Sequence, residues 1–106
     1  MSNPIKELLA ELKERLLALY GKRLKEVYLF GSYAREEADA ESDVDVLIVL
    51  DRVDDYSGEI SRTSYLIAEL SLQNDVSLSR VFVSEQRWRE DQSLFYLNVR
   101  AEAVPA

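Results

Sequence analysis

Residues 27–50 read VYLFGSYAREEADAESDVDVLIVL, and their spacing decides the fold. An apolar run, Val27–Phe30, ends at Gly31-Ser32; ten residues later Asp43-Val44-Asp45 opens a second apolar run, Val46–Leu50. Glycine has no β-carbon, so the turn after the first run can bring backbone close to a phosphate. The amides that follow, and the Ser32 hydroxyl, suit an anion. Residues two apart on a strand share a face, with α-carbons about 6.6 Å apart. Asp43 and Asp45 can therefore converge on two cations about 3.5–4 Å apart, the spacing of two-metal phosphoryl-transfer sites. One half of the stretch suits a phosphate chain and the other a divalent metal; together they suit a metal-bound nucleoside triphosphate.

Working outward, Asp43–Leu50 is the strongest predicted strand. Asp43, Asp45, Leu47 and Val49 share one face, and Val44, Val46, Ile48 and Leu50 the other. Both faces are apolar beyond Asp45, as in a central strand covered on both sides. The two acids then lie where the strand emerges at the sheet margin. Val27–Phe30 is a shorter strand, and Ala34–Ala40 is expected to form a short helix with Ser32 near its cap. Upstream, Ile5, Leu8, Leu9, Leu12, Leu16 and Leu19 recur at helical spacing. Asn3 is a candidate cap for that helix, Pro4 suits an early position and Gly21 a stop. Downstream, Asp51–Gly58 is a polar loop, and Ile60, Ser64, Ile67, Leu70 and Ser71 mark one face of a second long helix. Asp75–Val83 is a third strand, Ser84 caps a helix through Trp88, and Leu94–Val99 continues helically. The alternation predicts an α/β (α+β) fold: a small mixed sheet of three strands with helices packed on it.

At 106 residues, with 47% hydrophobic, residues 1–106 are expected to form a single domain with a core of its own. Cysteine and histidine are absent, which excludes disulfides, Cys/His zinc sites and a Ser-His-Asp triad within these residues. Chemistry must then come mainly from carboxylates, and oxygen ligands favour magnesium, calcium or manganese. The net charge is −7, so a long nucleic acid is not the expected partner, whereas a metal–nucleotide carries its own positive charge into an acidic site. No stretch approaches the roughly 20 apolar residues of a membrane span, and the N-terminus lacks the regions of a signal peptide. A cytoplasmic location is the expectation.

The pattern G-S-x-A-R-x-x-A-x-x-x-S-D-x-D over Gly31–Asp45, between two strands, resembles the polymerase-beta-like nucleotidyltransferases. Within them the chain resembles the minimal nucleotidyltransferases (MNT), the small single-domain branch that includes antitoxins. The resemblance implies a nucleotidyltransferase fold and an enzyme that transfers a nucleoside monophosphate, AMP from ATP, to an acceptor hydroxyl. It implies Mg2+ (or Mn2+) as cofactor. Gly31 and Ser32 would hold the β and γ phosphates, and Asp43 and Asp45 would ligate the metals and carry catalysis; Arg35, weighed on its own position after the turn, is a further candidate phosphate contact. It also implies a small helical partner of the HEPN type, a toxin whose tyrosine is the acceptor, with this chain as antitoxin.

Two departures bear on catalysis. Glu36 and Glu37 follow Arg35 where the family commonly has glycine, and ion pairing with the acids of residues 36–41 competes for Arg35. The third carboxylate of active members belongs on the third strand, where the corresponding slot holds Ser79, with Ser77 on the same face. Asp75 shares their parity but lies about 13 Å from Ser79 by strand rise, and completes the catalytic set only if the register differs. The alternative expectation is a non-catalytic relative that binds and neutralises a HEPN-type partner by contact alone. Sequence leaves the acceptor, the base and the oligomeric state open.

Overall fold

The computed structural model describes residues 3–106. Helix α1 spans Asn3–Tyr20 and passes through a 3-10 turn, Gly21–Arg23, into strand β1, Leu24–Phe30. Gly21 stops the helix at φ +57°, as expected. The side chain of Asn3, the candidate cap, lies outside the described residues. Strand β2 is Val44–Leu50, helix α2 Tyr56–Asn74, strand β3 Leu78–Ser84, helix α3 Glu85–Glu90, helix α4 Leu94–Glu102 and strand β4 Val104–Pro105. The sheet order is β3-β2-β1-β4. β1 runs antiparallel to both neighbours, and β2 runs parallel to β3 through the α2 crossover. The mixed sheet was expected; its fourth strand was not. Two residues ending in proline carry no strand signal of their own, and they are fixed by pairing with Tyr28 and Leu29.

Strand β2 is central and covered on both faces, as its two apolar faces require. Val44, Val46, Ile48 and Leu50 pack with Val27 and Leu29 of β1 under α1 and α2, against Leu8, Leu12, Leu16 and Leu70. Leu47 and Val49 pack on the other side with Val83, Tyr96 and Val99. Trp88 stacks on Tyr28 at 5.0 Å between ring centroids, and Phe95 meets Phe30 edge-on at 6.1 Å, so the C-terminal aromatics serve mainly as packing. No helix among the described residues is long and apolar enough to cross a membrane.

Three local expectations fail for physical reasons. Residues 34–40 do not form a helix; the chain makes one turn and stops. Glu36 enters the left-handed region at φ 59°, Glu37 N–H reaches Ser32 O at 2.9 Å and Glu36 N–H reaches Tyr33 O at 3.3 Å. That is the Schellman closure of a helix end. On α1 the buried residue is Tyr20, while Leu19 is 42% exposed. Asp75 is not in a strand: it is the C-cap of α2, left-handed at φ 51°, and β3 begins three residues later. An Asp in that conformation ends the helix without the steric cost a β-branched residue would meet.

Helix α2 buries Glu59 and Thr63 alongside Leu66, Ile67 and Leu70. Glu59 is 5% exposed; it accepts from Tyr20 Oη at 2.7 Å and from Arg23 Nη2 at 3.3 Å. Arg80 projects from β3 onto the same helix, donating to Thr63 Oγ1 at 3.0 Å and Ile60 O at 2.6 Å rather than to an acid. These bonds fix the crossover helix that sets β3 beside β2.

Candidate active site

The site is built where three strands end in register. Phe30 of β1 pairs with Asp45 of β2, which pairs with Ser79 of β3. Paired residues share a sheet face, so Asp45 projects on the α4 side with Phe30 on one flank and the Ser79 hydroxyl on the other. Gly31 follows Phe30 at φ +75°. A β-carbon there would collide with Asp45 Oδ2 and lie 3.2 Å from its Cγ. The turn and the aspartate are therefore in direct apposition, and only glycine permits it.

Ten residues separate the two halves because they fold into two consecutive turns. Arg35 N–H reaches back to Gly31 O at 3.1 Å, closing the first. The second is built on Asp39: its Oδ1 accepts from Glu41 N–H at 2.9 Å, its own N–H donates to Ser42 Oγ at 3.0 Å, and Ser42 N–H returns to its carbonyl at 3.2 Å. Such side-chain-to-backbone bonds are how Asp and Ser shape turns. Val44 N–H then joins Ser77 O at 2.8 Å, and the strand begins with Asp43 exposed just outside it. No hydrogen bond within the described residues uses the Ser32 hydroxyl or the N–H groups of Ser32, Tyr33 and Ala34 as donors.

The electrostatics are those of a site short of positive charge. Asp45 is partly buried, and its carboxyl is held above the usual range by burial first, then by Asp43 and Glu102; Arg35 opposes them. Among the described residues no three acidic side chains gather into a complete metal cage. Asp43 and Asp45 are near enough for the charge of one to raise the carboxyl of the other, and these two would be the oxygen ligands. That donor set fits magnesium, which takes one or two carboxylates and fills its octahedron with water and phosphate oxygens.

Of the residues singled out by sequence, Gly31, Ser32, Asp43 and Asp45 lie together. Arg35 lies beside Asp45 but is paired, with Glu37 at 3.0 Å and Glu102 at 2.7 Å. Asp75 is exposed at the end of α2, outside the strand row. Glu102, in the last turn of α4, carries no sequence signal for this site, because its partner is 67 residues away.

The mixed sheet, with its glycine turn apposed to a strand-mouth aspartate, agrees with the nucleotidyltransferase resemblance of the Gly31–Asp45 motif. The sequence model of the nucleotidyltransferase domain matches residues 5–96, and the chain belongs to that family. Two proteins of Methanocaldococcus jannaschii, named as candidate protein adenylyltransferases, are each 35% identical to it. One alignment covers 71% of this chain and 75% of the relative, the other 92% and 89%. A toxin–antitoxin crystal structure with AMP-PNP superposes with a TM-score of 0.62 at 21% identity, covering 98% of this chain and 72% of that one. A structure of a tri-AMPylated Shewanella oneidensis HEPN toxin in complex with its MNT antitoxin gives 0.55 at 20% identity, covering 93% and 69%. At those identities the two structures speak for the fold.

Proposed function

We propose that residues 1–106 act as one magnesium-dependent nucleotidyltransferase domain that moves AMP from ATP to a hydroxyl of a protein partner. The observation that carries this is the apposition of Gly31 to Asp45. The turn whose backbone can meet a phosphate chain lies against a carboxylate that can hold its metal, so close that only glycine fits there; phosphate and metal would sit on the open side of that contact, not between the two groups. Gly31 lets the triphosphate approach the backbone, Ser32 donates its free hydroxyl to a phosphate oxygen, and Asp43 and Asp45 hold the cation. Magnesium held by Asp43 and Asp45 would supply charge neutralisation at the phosphates and a lowered pKa for the attacking hydroxyl. The protein's share is position and charge: the acceptor oxygen bonds to the α-phosphorus, pyrophosphate leaves, and the hydroxyl proton passes to solvent or base. Asp75 lies outside this set. The relatives named as protein adenylyltransferases and the fold shared with an MNT antitoxin support a protein acceptor and a paired toxin of the HEPN type; a tyrosine as the accepting residue is what the family resemblance implies.

A second reading is favoured by one feature. The β3 position beside Asp45 is Ser79, which cannot ligate metal as a carboxylate does. A non-catalytic protein that neutralises the same partner by contact would keep the fold and lose the transfer. Labelled ATP with magnesium and the co-encoded neighbour separates the two. Label transferred by wild type and abolished in Asp43→Asn/Asp45→Asn, with unfolding still cooperative, supports the enzyme. Tight binding of the neighbour with no label across magnesium and manganese selects the binder.

A further inference from the structure

Arg35 rises from the turn beside Asp45 with its guanidinium gripped on two sides. Nε donates to Glu37 Oε2 at 3.0 Å, and Nη1 donates to Glu102 Oε2 at 2.7 Å. Glu37 is a sequence neighbour on an exposed turn. Glu102 comes from a different layer, and its side chain is only 22% exposed. Its helix is fixed: Tyr96 and Val99 are buried, Arg100 donates to Trp88 O at 2.6 Å and to Asp91 O, and the chain beyond it joins the sheet as β4. The grip leaves Nη2 and the second hydrogen of Nη1 without partners among the described residues. A loose arginine must be ordered before it can bind an anion, and that ordering opposes binding. Here the ordering is already done, by a carboxylate on a rigid element.

We propose that Glu102 is a positioning residue for nucleotide binding. It holds the Arg35 guanidinium beside the Gly31–Asp45 contact, so that the open N–H groups meet the triphosphate. The inference rests on that contact belonging to a nucleoside triphosphate site. Glu102 also brings negative charge, which adds to the field that raises the Asp45 carboxyl; the orienting bond to Arg35 is local and directional, and the binding measurement decides which of the two effects is larger.

Calorimetric titration of ATP with magnesium into the full chain tests this, using wild type, Glu102→Gln, Arg35→Gln and the double variant. Glu102→Gln should weaken ATP about tenfold, or ~1.4 kcal/mol. Arg35→Gln should weaken it at least as much, and adding Glu102→Gln to that variant should change nothing further. The melting temperatures without nucleotide should show the single variants folded. Equal or tighter ATP binding by Glu102→Gln overturns the proposal, as does a full additional loss in the Arg35→Gln background. Wild type that binds ATP while Glu102→Gln is unaltered refutes the role of Glu102 alone; wild type that fails to bind refutes the nucleotide site with it.

Discussion

Replacing Gly31 by alanine would place a β-carbon against the Asp45 carboxylate and hold an L-residue at φ +75°. The backbone penalty alone is about 1–2 kcal/mol. Gly31→Ala should lower the melting temperature and lack the stabilisation by ATP with magnesium that the proposed function predicts for wild type. Parallel thermal melts of the two proteins, with and without ATP and magnesium, decide this. A Gly31→Ala protein that melts and binds ATP like wild type would remove the apposition from the site.

Between elements, the Tyr20–Glu59 bond ties α1 to α2 beneath the sheet. Tyr20→Phe strips a donor from a buried carboxylate and should cost about 1–3 kcal/mol. The pair also predicts a pH dependence. The Tyr20 hydroxyl is pushed well above its ordinary 10.0 by burial first, then by its bond to Glu59 and that group's charge, against Arg62 and Arg23. The folded protein thus holds this proton more tightly than the unfolded chain. The stabilisation is complete below pH about 10 and is lost as pH climbs toward the raised folded value. Denaturant midpoints taken between pH 7 and 11 should fall more steeply for wild type than for Tyr20→Phe. Parallel slopes for the two would show that the hydroxyl is not linked to folding. Glu59 itself was invisible to periodicity, because a buried acid looks like any solvent-facing one until its partners are in place.

At the scale of the whole molecule, the last four residues close the sheet. Val104–Pro105 pairs with β1, and Ala106 N–H reaches Val27 O at 2.9 Å. Ending the chain after Glu102 should expose the β1 edge and lower the melting temperature by several degrees, at about 4–8 °C per kcal/mol for a domain near this size. Light scattering should show the shortened protein associating, since an uncovered strand edge is a template for pairing. An unchanged melt would make β4 incidental. By itself the sequence determined the helices at either side of the sheet, the central strand and the position of Asp43 and Asp45 at its mouth, because apolar periodicity and a short glycine–aspartate spacing are local signals. It also carried the family resemblance, since the motif is contiguous. Only the tertiary structure decided that Asp75 caps a helix, that residues 34–40 stop after one turn, that two C-terminal residues complete the sheet and that Glu102 holds Arg35. Each of those rests on groups brought together from distant parts of the chain, or on a backbone conformation that neighbouring residue types do not dictate.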